Sequence, residues 1–556
     1  MVDAKSRWLS WYAPGRRPAP GTFEFGLSLA GAVSAGAYTA GVLDFLFEAL
    51  DSWQAAKLAG GKVPRHEVKL RVVSGASAGG MNGAIIAAAL SKRFKPAAPG
   101  RNPDFRTSPF YAAWVDGLSI AGLLATDDLD AGRFDSVFNT RALDELAAAV
   151  VAFAGEGDVD PRIRAWAADP LLISLTLANL RGVPYPITFG GETGFSHPMR
   201  IHADMFSFGG SASGAADPER LPPGAFALPA DRRDANWTLL QTAALATGAF
   251  PGALKHRHLA RPRGDYEFRV ARATGDGGIG FVRPTWPAKV EEEYGFTSVD
   301  GGLFNNEPFE IAHQALAGLD GRNPREGSRA DRAVVMVDPF ADPGEFGGPL
   351  LESIPDVLRA MLPAMIAQGR FKPSELELAA SDKVYSRFLV APMREGVAGE
   401  RSLASGGLGG FLGFFSRAYR EHDFLLGRRN CQSFLRDWFL LPVDNPIVAG
   451  TDAAWRSATA PDHVPVIPLV GECARPEPMP AWPRGGFTGY AEVKKALERR
   501  ADRVVRHLAG SLNAGGDRAE LETLIKILWR FADDRLFGFM RAQLDAAAKA
   551  VDTRPS

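Results

Sequence analysis

The chain has 556 residues, 46% of them hydrophobic and 23% charged, with 63 Lys and Arg against 64 Asp and Glu. These are ordinary globular proportions, enough for one large α/β domain with insertions or for two or three domains. The formal net charge is −1, and the basic residues are scattered rather than gathered in a block, which excludes nucleic acid as a partner.

Residues 1–22 are rich in Pro and Gly, carry Arg16-Arg17 and have no apolar run. They read as a flexible tail, neither a signal peptide nor a membrane anchor. Phe23 to Leu29 reads as a first strand ending at Gly31, and Ala37 to Leu50 as a helix with a broad apolar face. Val68 to Ser74 is a short buried strand, and Gly80 to Leu90 a helix packed on both sides. This β-α-β-α order predicts an α/β fold, a mostly parallel sheet flanked by helices. Leu171 to Asn179 and Ala333 to Val337 add strands. The stretch 190–235 is rich in Gly, Ser, Ala and Pro and is expected to be loops. Residues 350–380 look helical but are interrupted by Pro355, Pro363 and Pro373. Phe388 to Ala391 and Val464 to Leu469 are weaker strands, the second with prolines suited to an edge. From about 485 the chain becomes charged and alanine-rich. Two amphipathic runs flank Asn513-Ala514-Gly515-Gly516, the pattern of a C-terminal helical hairpin. No stretch reaches the ~20 apolar residues of a spanning helix.

Between the second strand and its helix stands Gly75-Ala76-Ser77-Ala78-Gly79. The pattern alone is weak, but strand, glycine turn and helix together lift a serine onto a sharp elbow with its hydroxyl exposed. A Cβ at Gly75 or Gly79 would collide with the neighbouring strand and helix. The helix N-terminus aims free N–H groups at the space where an oxyanion would form. A serine needs a base, and two Asp-Gly-Gly triplets offer one. Asp276 lies in Ala273-Thr274-Gly275-Asp276-Gly277-Gly278, which reads as a surface turn. Asp300 instead ends the strand Phe296 to Val299, and Gly301 and Gly302 after it let a second backbone approach. Asn306 and Pro308 then read as a helix start.

Three blocks in this order resemble the patatin-like phospholipase family: Gly36-Ala37-Tyr38-Thr39-Ala40-Gly41-Val42-Leu43, Gly75 to Gly79, and Asp300-Gly301-Gly302 with Asn306 and Pro308. The strand around Leu171 and the segment Ala243 to Pro251 are similar too. The likeness spans roughly residues 23 to 340. It implies a Ser77–Asp300 dyad acting on lipid or other acyl esters through an acyl-enzyme, with no catalytic histidine, metal or cofactor. It implies an oxyanion hole from the N–H groups of Ala78 and of Gly31, Ala32 and Val33. The family's glycine-rich block with its basic residue aligns here with Gly31-Ala32-Val33-Ser34-Ala35-Gly36, and a β-branched Val33 resists φ > 0. The interval from Ser77 to Asp300 is long for the family, which implies an insertion in 190–235 or 255–295. Residues 23–480 then form the acyl hydrolase domain and 481–556 a helical extension.

Two other readings remain. The altered block fits a catalytically weak patatin-like protein that binds lipid or a partner. A Ser–Asp–His triad would need a histidine: His197 and His202 could approach the site, His256 and His258 read as an exposed basic loop, His313 as packing, and His422 and His463 lie late in the chain. Gly406 to Phe415 sets Phe411, Phe414 and Phe415 on a glycine frame, suited to core packing, an acyl channel or a bilayer surface. Cys431 and Cys473 stand far apart without ligand spacing, so neither a disulfide framework nor a zinc site follows. The expected location is cytoplasmic, with peripheral membrane contact open.

Overall fold

The computed structural model describes residues 3–130, 135–188, 196–274, 276, 278–319, 321–341, 384–407, 409–483 and 490–511, with isolated positions between 350 and 367. The hairpin expected around Asn513 and most of the helical stretch 350–380 lie outside the described residues. Among the described residues the core of the fold is a nine-stranded sheet. Five strands run parallel in the order β9 (Arg387–Val390), β8 (Arg332–Val337), β1 (Thr22–Leu29), β2 (Glu67–Gly75) and β3 (Ala167–Thr188). The apolar strands predicted at 23–29, 68–74 and 333–337 are these central ones, buried on both faces by helices as a parallel sheet requires.

β3 turns back through an antiparallel pairing into β4 (Ser196–Gly210), and β5 (Ala225–Ala227) closes that edge. The loops expected over 190–235 are therefore in part strand. Ser207, Gly209 and Gly210 give little apolar signal, yet they sit in the ladder opposite Ser174, Leu172 and Leu171. Further along, β3 also pairs antiparallel with β7 (Glu293–Asp300), which in turn pairs with β6 (Arg257–Pro262).

Six helices among the described residues position the site. α2 (Gly36–Leu58) is buried over most of its length and packs on α7 (Arg417–Asp437). Their close approach requires glycine: a Cβ at Gly41 would run into the Phe424 carbonyl, and one at Gly427 into that of Tyr38. The stretch Val33–Leu58 is long and apolar enough to cross a membrane by length and composition, contrary to the sequence reading, but most of it is buried inside the protein. α3 (Ala78–Ala89) follows β2, α4 (Arg141–Val151) and α5 (Ala235–Thr247) lie beside it, and α6 (Phe309–Ala317) covers the other face of β1 and β2.

The N-terminal segment is not a tail. α1 (Ala4–Tyr12) starts at Asp3, whose side chain accepts from the Ser6 N–H (3.0 Å). It buries Trp8 and Trp11, three residues apart on one face. The Trp11 indole donates to the Arg220 carbonyl (2.8 Å), the Trp8 indole to that of Phe268 (3.1 Å), and the Arg71 guanidinium stacks 4.2 Å from the Trp11 ring. Nine residues with two indoles do not show an apolar stripe in sequence, but the indoles anchor the helix. Trp11→Ala should therefore lower unfolding stability by about 3 kcal/mol, measured by denaturant titration against wild type.

Candidate active site

β2 ends at Gly75 and α3 begins at Ala78; Ser77, between them, has φ 50° and ψ −124°. A non-glycine residue in that region costs about 1–3 kcal/mol, so neighbouring groups must hold it. The Ala76 N–H donates to the Leu29 carbonyl of β1 (3.1 Å), and the Ser77 N–H to Thr247 Oγ1 (2.9 Å). Cβ atoms at Gly75 and Gly79 would strike the Gly79 and Leu29 carbonyls respectively, so both glycines are required. Ser77 alone is partly exposed in the otherwise buried run 72–80.

Register brings the aspartate to it. Gly75 of β2 stands beside Leu175 of β3, and Leu177, two residues on, stands opposite Asp300 of β7. Two residues of strand span about 7 Å, so the end of antiparallel β7 returns to the carboxyl end of β2. Ser77 Oγ donates to Asp300 Oδ2 at 2.8 Å, and the Gly302 N–H donates to Asp300 Oδ1 at 2.8 Å. The Asp300 N–H donates to the Ala249 carbonyl (2.9 Å) and the Gly301 N–H to that of Thr247 (3.1 Å). A Cβ at Gly301 would collide with the Thr176 carbonyl of β3, and one at Gly302 would crowd the Asn306 side chain. Thr247 thus braces the elbow with its hydroxyl and the aspartate's loop with its carbonyl. Sequence reading noted the segment Ala243 to Pro251 without seeing this role, because the contact joins residues 170 positions apart.

Burial pushes the Asp300 carboxyl up to about 6 from its ordinary 3.8, held back in part by the hydrogen bonds from Gly302 and Ser77. Asp276 is placed elsewhere. It is exposed in a turn between the short strands Val270–Ala273 and Ile279–Val282, accepting from the Gly278 N–H (3.1 Å) and the Thr274 hydroxyl, which lower its pKa.

Of the four backbone groups assigned to an oxyanion hole, Gly31 is used otherwise. Its N–H donates to the Asn306 carbonyl (3.1 Å), and its missing Cβ makes room for Ser77 and the Asn306 side chain. Among the described residues the N–H groups of Ala32, Val33 and Ala78 are left, and Val33 and Ala78 line the cavity that holds Ser77. Val33 adopts φ 49° despite its β-branch. The next residue is pinned: the Ser34 N–H donates to the Gly410 carbonyl at 3.2 Å, and its hydroxyl donates to the same oxygen. That contact ties the segment Gly31 to Gly36 to the glycine loop bearing Phe411, Phe414 and Phe415.

Ser77 and Asp300 open into a cavity of about 920 Å³ between α3, α4 and α5. Met81 and Ile85 of α3, Leu143 and Val150 of α4, and Ala244 and Leu245 of α5 line it, with Phe411, Phe414 and Phe415 from the glycine loop. Among the described lining residues, Gln241, Arg500 and the indole of Trp114 bring polar side-chain atoms besides those of Ser77 and Asp300. Sequence reading missed the contribution of the C-terminal helix α8 (Tyr490–Ser511), which reaches this cavity from far along the chain.

Among the described residues no histidine lines the cavity. His202 bonds the Asn179 carbonyl (2.7 Å), and His256, just before β6, packs ring to ring with His258 on it. His313 stacks on Phe309, His422 meets Asp423 (2.8 Å), His463 meets Tyr385 (2.9 Å), and His197 is exposed on β4. Nor does any group of three or more His, Cys, Asp or Glu side chains among the described residues stand where it could hold a metal ion. The arrangement can pass a proton from hydroxyl to carboxylate and seat a long apolar group beside them.

The patatin-like phospholipase family profile matches residues 27–313, which include the elbow, Asp300 and the glycines of both. The chain is 34% identical to the uncharacterized protein y4iI of Sinorhizobium fredii, over 94% of this chain and 81% of that one. VipD from Legionella pneumophila, a crystal structure, aligns at 12% identity over 97% of this chain and 89% of that one with a TM-score of 0.20, too low to bear on the fold. With its parallel sheet, its elbow and this match over half its length, the chain belongs to the patatin-like phospholipase family, and so to the lipid acyl hydrolases.

Proposed function

We propose that this protein is a serine hydrolase of lipid esters that works through a Ser77–Asp300 dyad and an acyl-enzyme. The observation that carries the reading is the 2.8 Å hydrogen bond from Ser77 Oγ to a buried carboxylate at an apolar cavity. Ser77 Oγ attacks the ester carbonyl carbon while its proton passes to Asp300 Oδ2. The oxyanion then faces the N–H groups of Ala78 and of Ala32 and Val33; one such donor contributes about 3 kcal/mol. Collapse of the intermediate breaks the ester C–O bond, and the alcohol leaves with the proton from Asp300. Water, giving a proton to the same carboxylate, attacks the acyl carbon; the bond to Ser77 Oγ then breaks, Oγ takes the proton back from Asp300, and the fatty acid is released.

The lining supports an aliphatic acyl chain as the part of the substrate held inside. Arg500 is engaged by Asp128, so a charged headgroup finds no free cation among the described lining residues and lies outside the cavity. Both cysteines are free and buried, which supports a reducing cytoplasm as the place of action, with the lipid met at a membrane surface.

Ser77→Ala should abolish both ester hydrolysis and fluorophosphonate labelling while leaving the thermal unfolding curve in place, because alanine removes a half-exposed hydroxyl and little packing. Asp300→Asn should lower kcat/KM by about a hundred- to ten-thousand-fold, whereas Asp276→Asn should match wild type in the same assay. Wild-type activity should fall as pH drops through about 6, since the base must be ionised and its pKa stands near that value.

Stability should run the other way. The folded carboxyl binds its proton more tightly than the unfolded one, so between about 4 and 6 the native state carries the extra proton and loses stability as pH rises. Above about 6 the buried charge costs about 3 kcal/mol. Asp300→Asn should therefore be more stable than wild type at pH 8, with the gap closing below about pH 4, in denaturant titrations at both values.

A further inference from the structure

The family match ends at residue 313, yet α8 supplies part of the cavity wall. Val493, Leu497, Ala501 and Val504, spaced four, four and three, form one stripe of the helix and face the space shared with Ser77. Glu492, Lys495, Arg499, Asp502 and Arg506 occupy the opposite, exposed stripe. The helix is an amphipathic one whose apolar face is turned onto the cavity.

Arg500 fixes it there. Its guanidinium meets both carboxylate oxygens of Asp128 at 2.8 Å and donates to the carbonyls of Ala125, Val137 and Ser136. It is buried, and every one of these partners lies in the segment 120–139, on whose short helices Ile120–Leu123 and Asp127–Asp130 α8 packs. A bidentate pair with three further carbonyl acceptors fixes a side chain in one orientation. Arg500 therefore serves as the anchor of a wall and not as a cation for substrate.

We propose that α8 sets the length of acyl chain this enzyme accepts: Leu497 and Ala501 bound the space available to the chain, and Arg500 holds them at a fixed distance from the segment 120–139. The substrate class is an ester of a straight-chain fatty acid, and the inference rests on the hydrolase reading above. In an apolar pocket a single methylene more or less changes kcat/KM by about 10- to 200-fold, so one side chain on this stripe is enough to move the cut-off.

The test uses the full-length protein and p-nitrophenyl butyrate, octanoate, dodecanoate and palmitate, with rates normalised to active sites titrated by a small fluorophosphonate. Ala501→Phe should lower the ratio of palmitate to butyrate kcat/KM by about tenfold or more, and Leu497→Ala should raise that ratio. If Ala501→Phe yields no titratable sites, Leu497→Ala decides. Ratios equal to wild type in the titratable variants overturn the inference. A wild-type protein that neither titrates nor hydrolyses any of the four esters overturns the hydrolase reading instead.

Discussion

A hydroxyl and a carboxylate 223 residues apart in sequence meet at 2.8 Å, and most of the described structure can be understood as what that contact demands. Parallel pairing of β2 with β3 places the elbow, and antiparallel pairing of β3 with β7 brings the aspartate back beside it. Side chains cannot be present where these backbones converge. Gly75 admits the first turn of α3, Gly79 admits β1, Gly31 admits Ser77, and Gly301 admits β3. Thr247, at the end of α5, then links the two halves through one hydroxyl and one carbonyl. A shift of one residue in β3 would turn its side chains to the other face and part the pair.

The same enclosure sets the electrostatics. Asp300 is buried and the groups that act on it are neutral: a hydroxyl, a backbone N–H and low-dielectric surroundings. An aspartate in water is too weak a base to take a serine proton readily. Burial moves it toward neutrality, where a general base is most effective. The aromatic loop 409–415, tied to Ser34 at Gly410, and the helices α3, α4 and α5 supply that enclosure. In the proposed reaction, the apolar walls that would hold an acyl chain thereby also tune the base.

The elbow, Asp300 and the central strands were legible in the sequence because each is a local pattern: an apolar run, a glycine turn, an apolar helix. Asp276 could be set aside for the same reason, its turn chemistry being local. What escaped was non-local or chemically disguised. α7 carries Arg420, Asp423 and Arg428 on its buried face. Arg428 is held there by Asp44, by Glu48 at 2.5 Å and by Glu477 at 2.8 Å, so charge stands where an apolar period would be sought. β4 hides behind small residues whose place is set by the ladder with β3. α1 depends on two indoles finding distant carbonyls, and the N–H of Gly31 is committed to Asn306, a pairing no spacing rule foretells.

In the proposed mechanism the elbow serine carries the acyl group between the two halves of the reaction. The most direct measurement is peptide mass spectrometry of the wild-type protein quenched in acid during turnover of a fatty acyl ester. The account predicts an acyl adduct on Ser77, bearing the fatty acid of the ester supplied. Continued turnover with Ser77 unmodified, or an adduct on a different side chain, would contradict it.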